Sequence, residues 1–431
     1  MSSQSGDKRR SERGQVVVLV VMTLPLLLLF SALAIDVGFA YVTKARLSKS
    51  VDAACLTAMK NLSQGQTTAR TLALNSFTAN YGSPGLDVNP PVVAVTFSTN
   101  AAGQTLVGVT ATATIKTFFM RLIPQFSQLS VANTAQATRG KLIMSVVLDR
   151  SGSMKNNGGS TALPPAVIMF VNLFDNSNDE VAMVSFASNA KVDVPINYNF
   201  KTPITNAANA MSYTGGTFGP GGLTLAQTQN NSVTILPGQN VIKVVLYFTD
   251  GYANTIQDTF NCPASTLINY GGYDTGSSVD AFDPTSATID WGTVPTRGTH
   301  HGQLPYTSVP AYCKSGTGVY LTTIYSQQAK SQKSFTRANV TADAVYRALQ
   351  TTTSMRAETV PTYVYSIGLG TNIDQAFLKQ IANDPGSTTY DPSKPVGMAQ
   401  FVTNCPSTKC TADLQQVFQT IAARILLRLT Q

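Results

Sequence analysis

The sequence is poor in charge. Asp, Glu, Lys and Arg make up 12% of its 431 residues, about half of the ~25% usual for a soluble globular chain. Thr, Ser, Asn, Gly and Tyr supply the polarity instead, a palette common in secreted and cell-surface proteins. Histidine is nearly absent. His300 and His301 are the only two. They are adjacent and lie in a polar stretch, which argues against a histidine metal centre or a Ser-His-Asp hydrolase. No CxxC occurs among Cys55, Cys262, Cys313, Cys405 and Cys410, which argues against a zinc ribbon. The glycines at 215–222 are not followed by Gly-Lys-Ser/Thr, so they do not form a phosphate loop. There is no GxSxG elbow, no internal repeat and no heptad array.

The charge that is present is unevenly placed. Net charge is +8, with 12 Lys/Arg against 5 Asp/Glu in residues 1–140 and 18 against 17 in residues 141–431. The basic excess surrounds an apolar segment and shows no interleaving with aromatics. Nucleic acid is therefore not an expected partner.

That apolar segment, residues 16–35, reads VVVLVVMTLPLLLLFSALAI. Twenty residues without a charge can cross about 30 Å of hydrocarbon as a helix. Lys8, Arg9, Arg10 and Arg13 precede it and Asp36 follows. The positive-inside rule then keeps the N-terminus in the cytoplasm and sends the larger part outward. A cleavable signal peptide is the rival, because Ala32-Leu33-Ala34 offers a small-x-small site. The pattern continues past that site: Leu47, Val51, Ala54, Ala58 and Leu62 recur at helical spacing. A helix that leaves the membrane and runs on for several turns favours an anchor. In such an oxidising setting the simplest pairing is Cys262–Cys313 and Cys405–Cys410, with buried free thiols as the alternative. Cys55 is left over as a small apolar residue in a helix.

Residues 40–80 are expected to be helical, ending at Gly82-Ser83-Pro84-Gly85. Val92–Phe97, Leu106–Ile115 and Val131–Thr138 read as strands. The aromatic run TFFMRLIPQF at 117–126 is expected to pack on them. This is a long helix on a few antiparallel strands, a pilin-like α+β plan. Residues 141–431 alternate strands and helices. Strands are expected at Leu142–Leu148, Glu180–Phe186, Val192–Ile196, Val241–Phe248 and Thr362–Ile367. Helices are expected at 163–174, 325–352, 374–383 and 411–429. Such alternation predicts a mostly parallel sheet covered on both faces, with ligands at the carboxyl ends of its strands.

The chemistry lies at the end of the first of these strands, in Asp149-Arg150-Ser151-Gly152-Ser153, a DxSxS motif. A hard divalent cation takes oxygen ligands. One carboxylate and two hydroxyls spaced by two residues on a loop can face one ion. Two further oxygens stand in suitable places: Thr217 in Gly215-Gly216-Thr217-Phe218-Gly219, and Asp250 in Thr249-Asp250-Gly251 after the strand 241–248. This constellation resembles the von Willebrand factor A fold and its metal-ion-dependent adhesion site. The resemblance implies that Ser151, Ser153 and Thr217 hold Mg²⁺ (or Mn²⁺ or Ca²⁺) directly or through water. Asp149 and Asp250 would act largely through waters. An open position would accept a carboxylate from a protein ligand.

The N-terminal phrase AIDVGFAYVTKARLSKSVDAACLTAM, from Ala34 to Met59, and the motif TFFMRL at 117–122 resemble the TadG-like proteins of tight-adherence (Flp) pilus assembly. Leu19 stands where pilin precursors of that system carry a glutamate after a processed glycine, so peptidase processing is not expected. The combined reading is an α/β fold: a doubly wound von Willebrand factor A domain after a transmembrane helix and a small pilin-like unit. Its parts are a basic tail (1–14), a membrane span (15–36), a TadG-like α+β region (37–140) and the A domain (141–431). The A domain carries an insertion at 252–322. The expected function is Mg²⁺-dependent protein binding in pilus assembly or surface adhesion, from a single-pass inner-membrane protein whose bulk is periplasmic or extracellular. The expected partners are a carboxylate-bearing protein ligand and pilus-assembly components. It is not expected to be an enzyme. The alternatives are a pilin-like spacer without metal-dependent binding and, behind it, a metal-dependent hydrolase. Within the insertion, Trp291, Tyr270, Tyr273 and Tyr306 are the candidates for ligand contact, because aromatic side chains are favoured at binding surfaces.

Overall fold

The computed structural model describes residues 8–82, 85, 87–101, 104–261, 267–274, 279–282, 314–315, 318–319, 323–334 and 336–429. The chain forms two compact units, one mainly from Met1–Ala101 and Thr105–Arg139, the other mainly from Gly140–Leu429.

The first unit begins with helix α1 (Lys8–Lys60), unbroken through Pro25. Its apolar stretch from Val16 is exposed along its length. The later turns bury Leu47, Val51, Ala54 and Ala58, the stripe expected from their spacing of three and four. They pack with Ala73, Phe77 and Tyr81 of α2 (Gln66–Tyr81) and with an antiparallel sheet of β1 (Val92–Thr99), β2 (Thr105–Lys116) and β3 (Gln128–Thr138). β2 alternates cleanly: Val107, Val109, Ala111 and Ala113 face the helix. Cys55 is buried in this core as a free thiol, 3.5 Å from the carbonyl of Val107. Burial, with the Asp52 carboxylate adding to it, pushes that thiol up from its ordinary pKa.

The 117–126 run does not pack on the sheet as expected. It forms two 3-10 turns, Met120–Leu122 and Pro124–Phe126, with no buried residue in either. The cause is polar. Thr117 Oγ1 donates to the carbonyl of Phe126 at 2.7 Å and closes the loop. Asp36 accepts the backbone N–H groups of Phe118, Phe119 and Met120, so these cannot enter a ladder.

The second unit is built on a six-stranded sheet. Its strands are β4 (Lys141–Asp149), β5 (Glu180–Phe186), β6 (Ala190–Asn197), β7 (Val241–Thr249), β15 (Thr362–Leu369) and β16 (Met398–Val402). Their order is β16-β15-β7-β4-β5-β6, parallel except for the edge strand β6. Every residue of β4 is buried, as a central parallel strand requires. On one face Met144, Val146 and Leu148 meet α4 (Gly159–Asn172), α5 (Lys201–Asn209) and α9 (Cys410–Leu429), where Phe170 and Phe418 sit edge to face. On the other, Val147, Val184 and Tyr247 meet α6 (Gly219–Ser232), α7 (Arg337–Arg356) and α8 (Gln375–Ala382). Cys405 and Cys410 are disulfide-linked at the start of α9.

Two expectations need correction. The helix expected over 325–352 begins only at Arg337. Before it, β13 (Thr323–Ser326) and β14 (Ser331–Ser334) form a hairpin that turns through Lys330 at positive φ. Thr336 then caps α7 by accepting the N–H of Asn339. The insertion expected to lack regular structure contains β8 (Thr255–Asn261), β9 (Leu267–Asp274) and β10 (Val279–Phe282). These join β13 and β14 in a second sheet, ordered β10-β9-β8-β13-β14, while β11 (Lys314–Ser315) and β12 (Gly318–Val319) pair with each other. β10 is only four residues long and β9 carries Gly271-Gly272, so no sustained period-two pattern marked them. Cys262, Trp291, His300, His301, Tyr306 and Cys313 lie outside the described residues, and the Cys262–Cys313 pairing with them.

Candidate metal-binding site at the carboxyl edge of the sheet

β4 and β7 are adjacent and parallel, with Leu148 paired to Phe248. Their carboxyl ends therefore meet at one edge, and the chain delivers Asp149 as the last residue of β4 and Asp250 just after β7. Asp149 is fully buried and Asp250 nearly so. Beyond Asp149 the chain turns sharply into the short helix α3 (Ser153–Asn156). Asp149 Oδ1 accepts the N–H of Ser151 at 2.7 Å, which folds the DxSxS turn back over the strand. The Ser151 and Ser153 hydroxyls stand 3.0 Å apart. Ser153 Oγ donates to Asp250 Oδ1 at 2.7 Å. Four of the five expected residues are thus linked in one hydrogen-bonded chain, the Asp149–Ser151 link passing through the Ser151 backbone N–H.

The fifth, Thr217, arrives on a neighbouring loop. Gly152 donates its N–H to the carbonyl of Gly215 at 3.1 Å, which docks that loop on the DxSxS turn. Gly215 has φ +84°, a conformation that favours glycine. Thr217 is buried, and its N–H is accepted by Asn254 Oδ1 at 2.8 Å and Thr255 Oγ1 at 3.1 Å.

Two further residues belong to the site. Thr249 Oγ1 donates to Asp149 Oδ2 at 2.6 Å, and Asn157 Nδ2 donates to Asp250 Oδ2 at 2.9 Å. Asn157 could have been suspected from its place one helical turn after Ser153. Thr249 carries no motif beyond its place beside Asp250.

Burial pushes the Asp149 carboxyl up to about 7, the Asp250 carboxylate adding to the rise. Burial also lifts Asp250 above the usual carboxylate range. Two acids crowded at a dry sheet edge repel each other, and a bound cation offsets that repulsion directly. Among the described residues no group of three His, Cys, Asp or Glu could hold a metal. The donors gathered here are carboxylate and hydroxyl oxygens, which suit a hard divalent cation such as Mg²⁺. Of the aromatic candidates, Tyr270 and Tyr273 lie in β9.

A doubly wound sheet whose two central strands end on aspartates beside a DxSxS turn defines a von Willebrand factor A-type domain. Residues 144–272 match the family model of the von Willebrand factor type A domain, and residues 14–61 match the model described as Flp pilus-assembly TadE/G-like. The chain joins a TadE/G-like N-terminal segment to a von Willebrand factor type A domain. No curated protein sequence matches it. Among solved structures, the PilB minor pilin from Streptococcus sanguinis is 18% identical, with 79% of each chain covered and a TM-score of 0.39. The vWF domain of the type V pili tip protein Mfa5 from Porphyromonas gingivalis is 15% identical over 68% of this chain and 97% of its own, with a TM-score of 0.39. Proximal thread matrix protein 1 from the mussel byssus, with a zinc-occupied MIDAS motif, is 14% identical over 67% of this chain, with a TM-score of 0.35. The chain spans 46% of that mussel protein's length.

Proposed function

We propose that this protein binds another protein through a divalent cation held at the sheet edge, and does so from a membrane anchor in the Flp/Tad pilus assembly or in surface adhesion. The observation that carries this reading is the convergence of Asp149, Ser151, Ser153 and Asp250 through contacts of 2.7–3.0 Å, with the Thr217 loop docked beside them. Ser151, Ser153 and Thr217 would hold Mg²⁺, while Asp149 and Asp250 balance its charge. Bound there, the cation would offer a partner's carboxylate a place to coordinate. Both carboxylates are engaged by hydroxyl and amide donors, which suits holding a charge more than moving a proton, so the reading is binding rather than catalysis. The TadE/G-like match at 14–61 supports a pilus context. The exposed apolar helix from Val16 fits a single-pass anchor in the inner membrane. With Lys8, Arg9, Arg10 and Arg13 before it, the A domain would lie outside the cytoplasm.

The test is affinity capture with the full chain in nanodiscs, in Mg²⁺ and in EDTA, against extracts of the cells that make it. Partners retained in Mg²⁺ and released by EDTA are expected. Equal retention in both would favour the spacer reading.

A further inference from the structure

The loop between β2 and β3 presents its apolar side chains outward. Phe118 and Phe119 are each 44% exposed, Phe126 46%, Ile123 51% and Leu122 85%. Five large apolar side chains on one short loop exceed the scattered hydrophobics of an ordinary surface and mark an interaction site. The backbone holds them there. Asp36, itself buried, accepts the N–H of Phe118 at 2.7 Å, of Phe119 at 3.0 Å and of Met120 at 2.7 Å. The Phe118 ring rests on that of Phe39, with centroids 5.4 Å apart. The loop is therefore fixed to α1 at the level of residues 36–39.

That level identifies what covers it. The uncharged stretch of α1 ends at Ile35. At 1.5 Å of rise per residue, residues 36–39 stand about 2–6 Å beyond its last turn. The interfacial layer on each side of a bilayer's hydrocarbon is about 5–7 Å thick. At the same level α1 exposes Val37 and Phe39. Lys44, Lys116 and Arg121 are exposed nearby in the chain. Asp36 is the only acid between Gly14 and Asp52, and its charge is taken up by three N–H groups. The local charge therefore favours anionic headgroups.

We propose that residues 118–126 are a second membrane contact, a hydrophobic foot seated in the headgroup boundary of the leaflet from which α1 emerges. This rests on the reading of residues 16–35 as a membrane span. One helix alone leaves the protein free to rotate and tilt about its axis. A foot attached at Asp36 would remove that freedom and set how the first unit stands on the bilayer.

The test places the full chain in nanodiscs containing anionic lipid brominated either near the headgroup or near the chain end. Leu122→Trp is the reporter, with Ile123→Trp as a second in case the first disturbs the loop. Wild type, whose only tryptophan is Trp291, gives the background. Phe30→Trp reports the span independently. The expected result is roughly a twofold loss of the added fluorescence at position 122 with bromine near the headgroup, and less with bromine at the chain end. Quenching at position 30 without quenching at 122 or 123 overturns the foot and leaves the span intact. So does protection of 122 from acrylamide without bromine quenching, which would mean that a protein covers the loop. No quenching at position 30 overturns the span reading and the foot with it.

Discussion

The Thr249 hydroxyl donates to Asp149 Oδ2 at 2.6 Å, joining the last residues of β7 and β4 across 100 positions of chain. The other oxygen of Asp149 is engaged by the N–H of Ser151. Both oxygens of this fully buried carboxylate are therefore engaged by protein donors, one on each, which leaves a second lone pair on each oxygen. The DxSxS turn owes its shape to that acid as much as any cation would owe its binding to it.

Asp149→Ala removes one of the two carboxylates at the sheet edge, and the hydroxyls of Ser151 and Ser153 cannot replace its charge. Affinity for Mg²⁺ or Mn²⁺ is expected to fall on the order of tenfold or more, about 1.4 kcal/mol at least, with the circular-dichroism spectrum of the fold retained. Thr249→Val is expected to weaken binding less, while leaving a buried acceptor unpaired at a cost of about 1–3 kcal/mol in stability. Titration calorimetry that finds wild-type metal affinity in Asp149→Ala would contradict the assignment.

The metal-free protein should show an inverted pH dependence. The Asp149 carboxyl is raised in the folded state to about 7 from an ordinary 3.8, so between those values the native state binds a proton that the unfolded chain has released. Stability therefore falls as pH rises through this window, by at most about 1.4 kcal/mol per pH unit, and levels off above it. In EDTA the melting temperature of the A domain should drop between about pH 5 and about pH 7. Asp149→Asn, which cannot ionise, should flatten the trend. A wild-type melting temperature that rises over the same range would contradict it.

Much of this site was legible in the sequence because its parts sit at the ends of strands that are themselves conspicuous. The runs 142–148 and 241–248 are apolar but for Ser145 and Lys243, and that composition reads as buried parallel strands. Once they are parallel, Asp149 and Asp250 must share an edge. What escaped the sequence depended on partners far along the chain. The run 117–126 has the composition of a core segment, but Asp36, more than eighty residues earlier, claims its backbone donors and turns its side chains out. The stretch before Arg337 has helix-forming composition, yet Lys330 adopts φ +52° and makes a hairpin. Thr249 and Asn157 enter the site only through three-dimensional neighbours.

Asp343 holds that hairpin to α7. Its side chain is fully buried and accepts from Arg347 Nε at 2.7 Å and from the N–H of Gln327 at 2.7 Å. Asp343→Ala takes the carboxylate from a turn N–H and from a largely buried guanidinium, which keeps its bond to the carbonyl of Gln257, and removing one partner of a buried pair typically costs about 3–5 kcal/mol. Chemical denaturation should report a loss of about 3 kcal/mol. Asp343→Asn, which retains an acceptor, should lose less. A loss within error of zero for Asp343→Ala would show that the pair does not anchor the hairpin.

The insertion is wired to the candidate site by its first residues. Asn254 and Thr255 both accept the N–H of Thr217, and β8 starts at Thr255. A binding surface built on the insertion would therefore stand beside the cation and could select the partner that the cation anchors. Its aromatic residues are the expected contacts, since a few tryptophan and tyrosine side chains commonly carry most of an interface's energy. Deleting 264–311 would remove β9 and β10 and leave one edge of β8 unpaired, an invitation to aggregation. Point substitution is the cleaner probe. The double variant Trp291→Ala/Tyr306→Ala is expected to reduce Mg²⁺-dependent capture of the partner on the order of tenfold. Its metal affinity by calorimetry should remain that of wild type, because the proposed ligands are Asp149, Ser151, Ser153, Thr217 and Asp250, which the variant leaves in place. Partner capture at wild-type strength would mean that the insertion merely covers the sheet. A parallel loss of metal affinity would mean that it acts by shaping the Thr217 loop rather than by touching the partner.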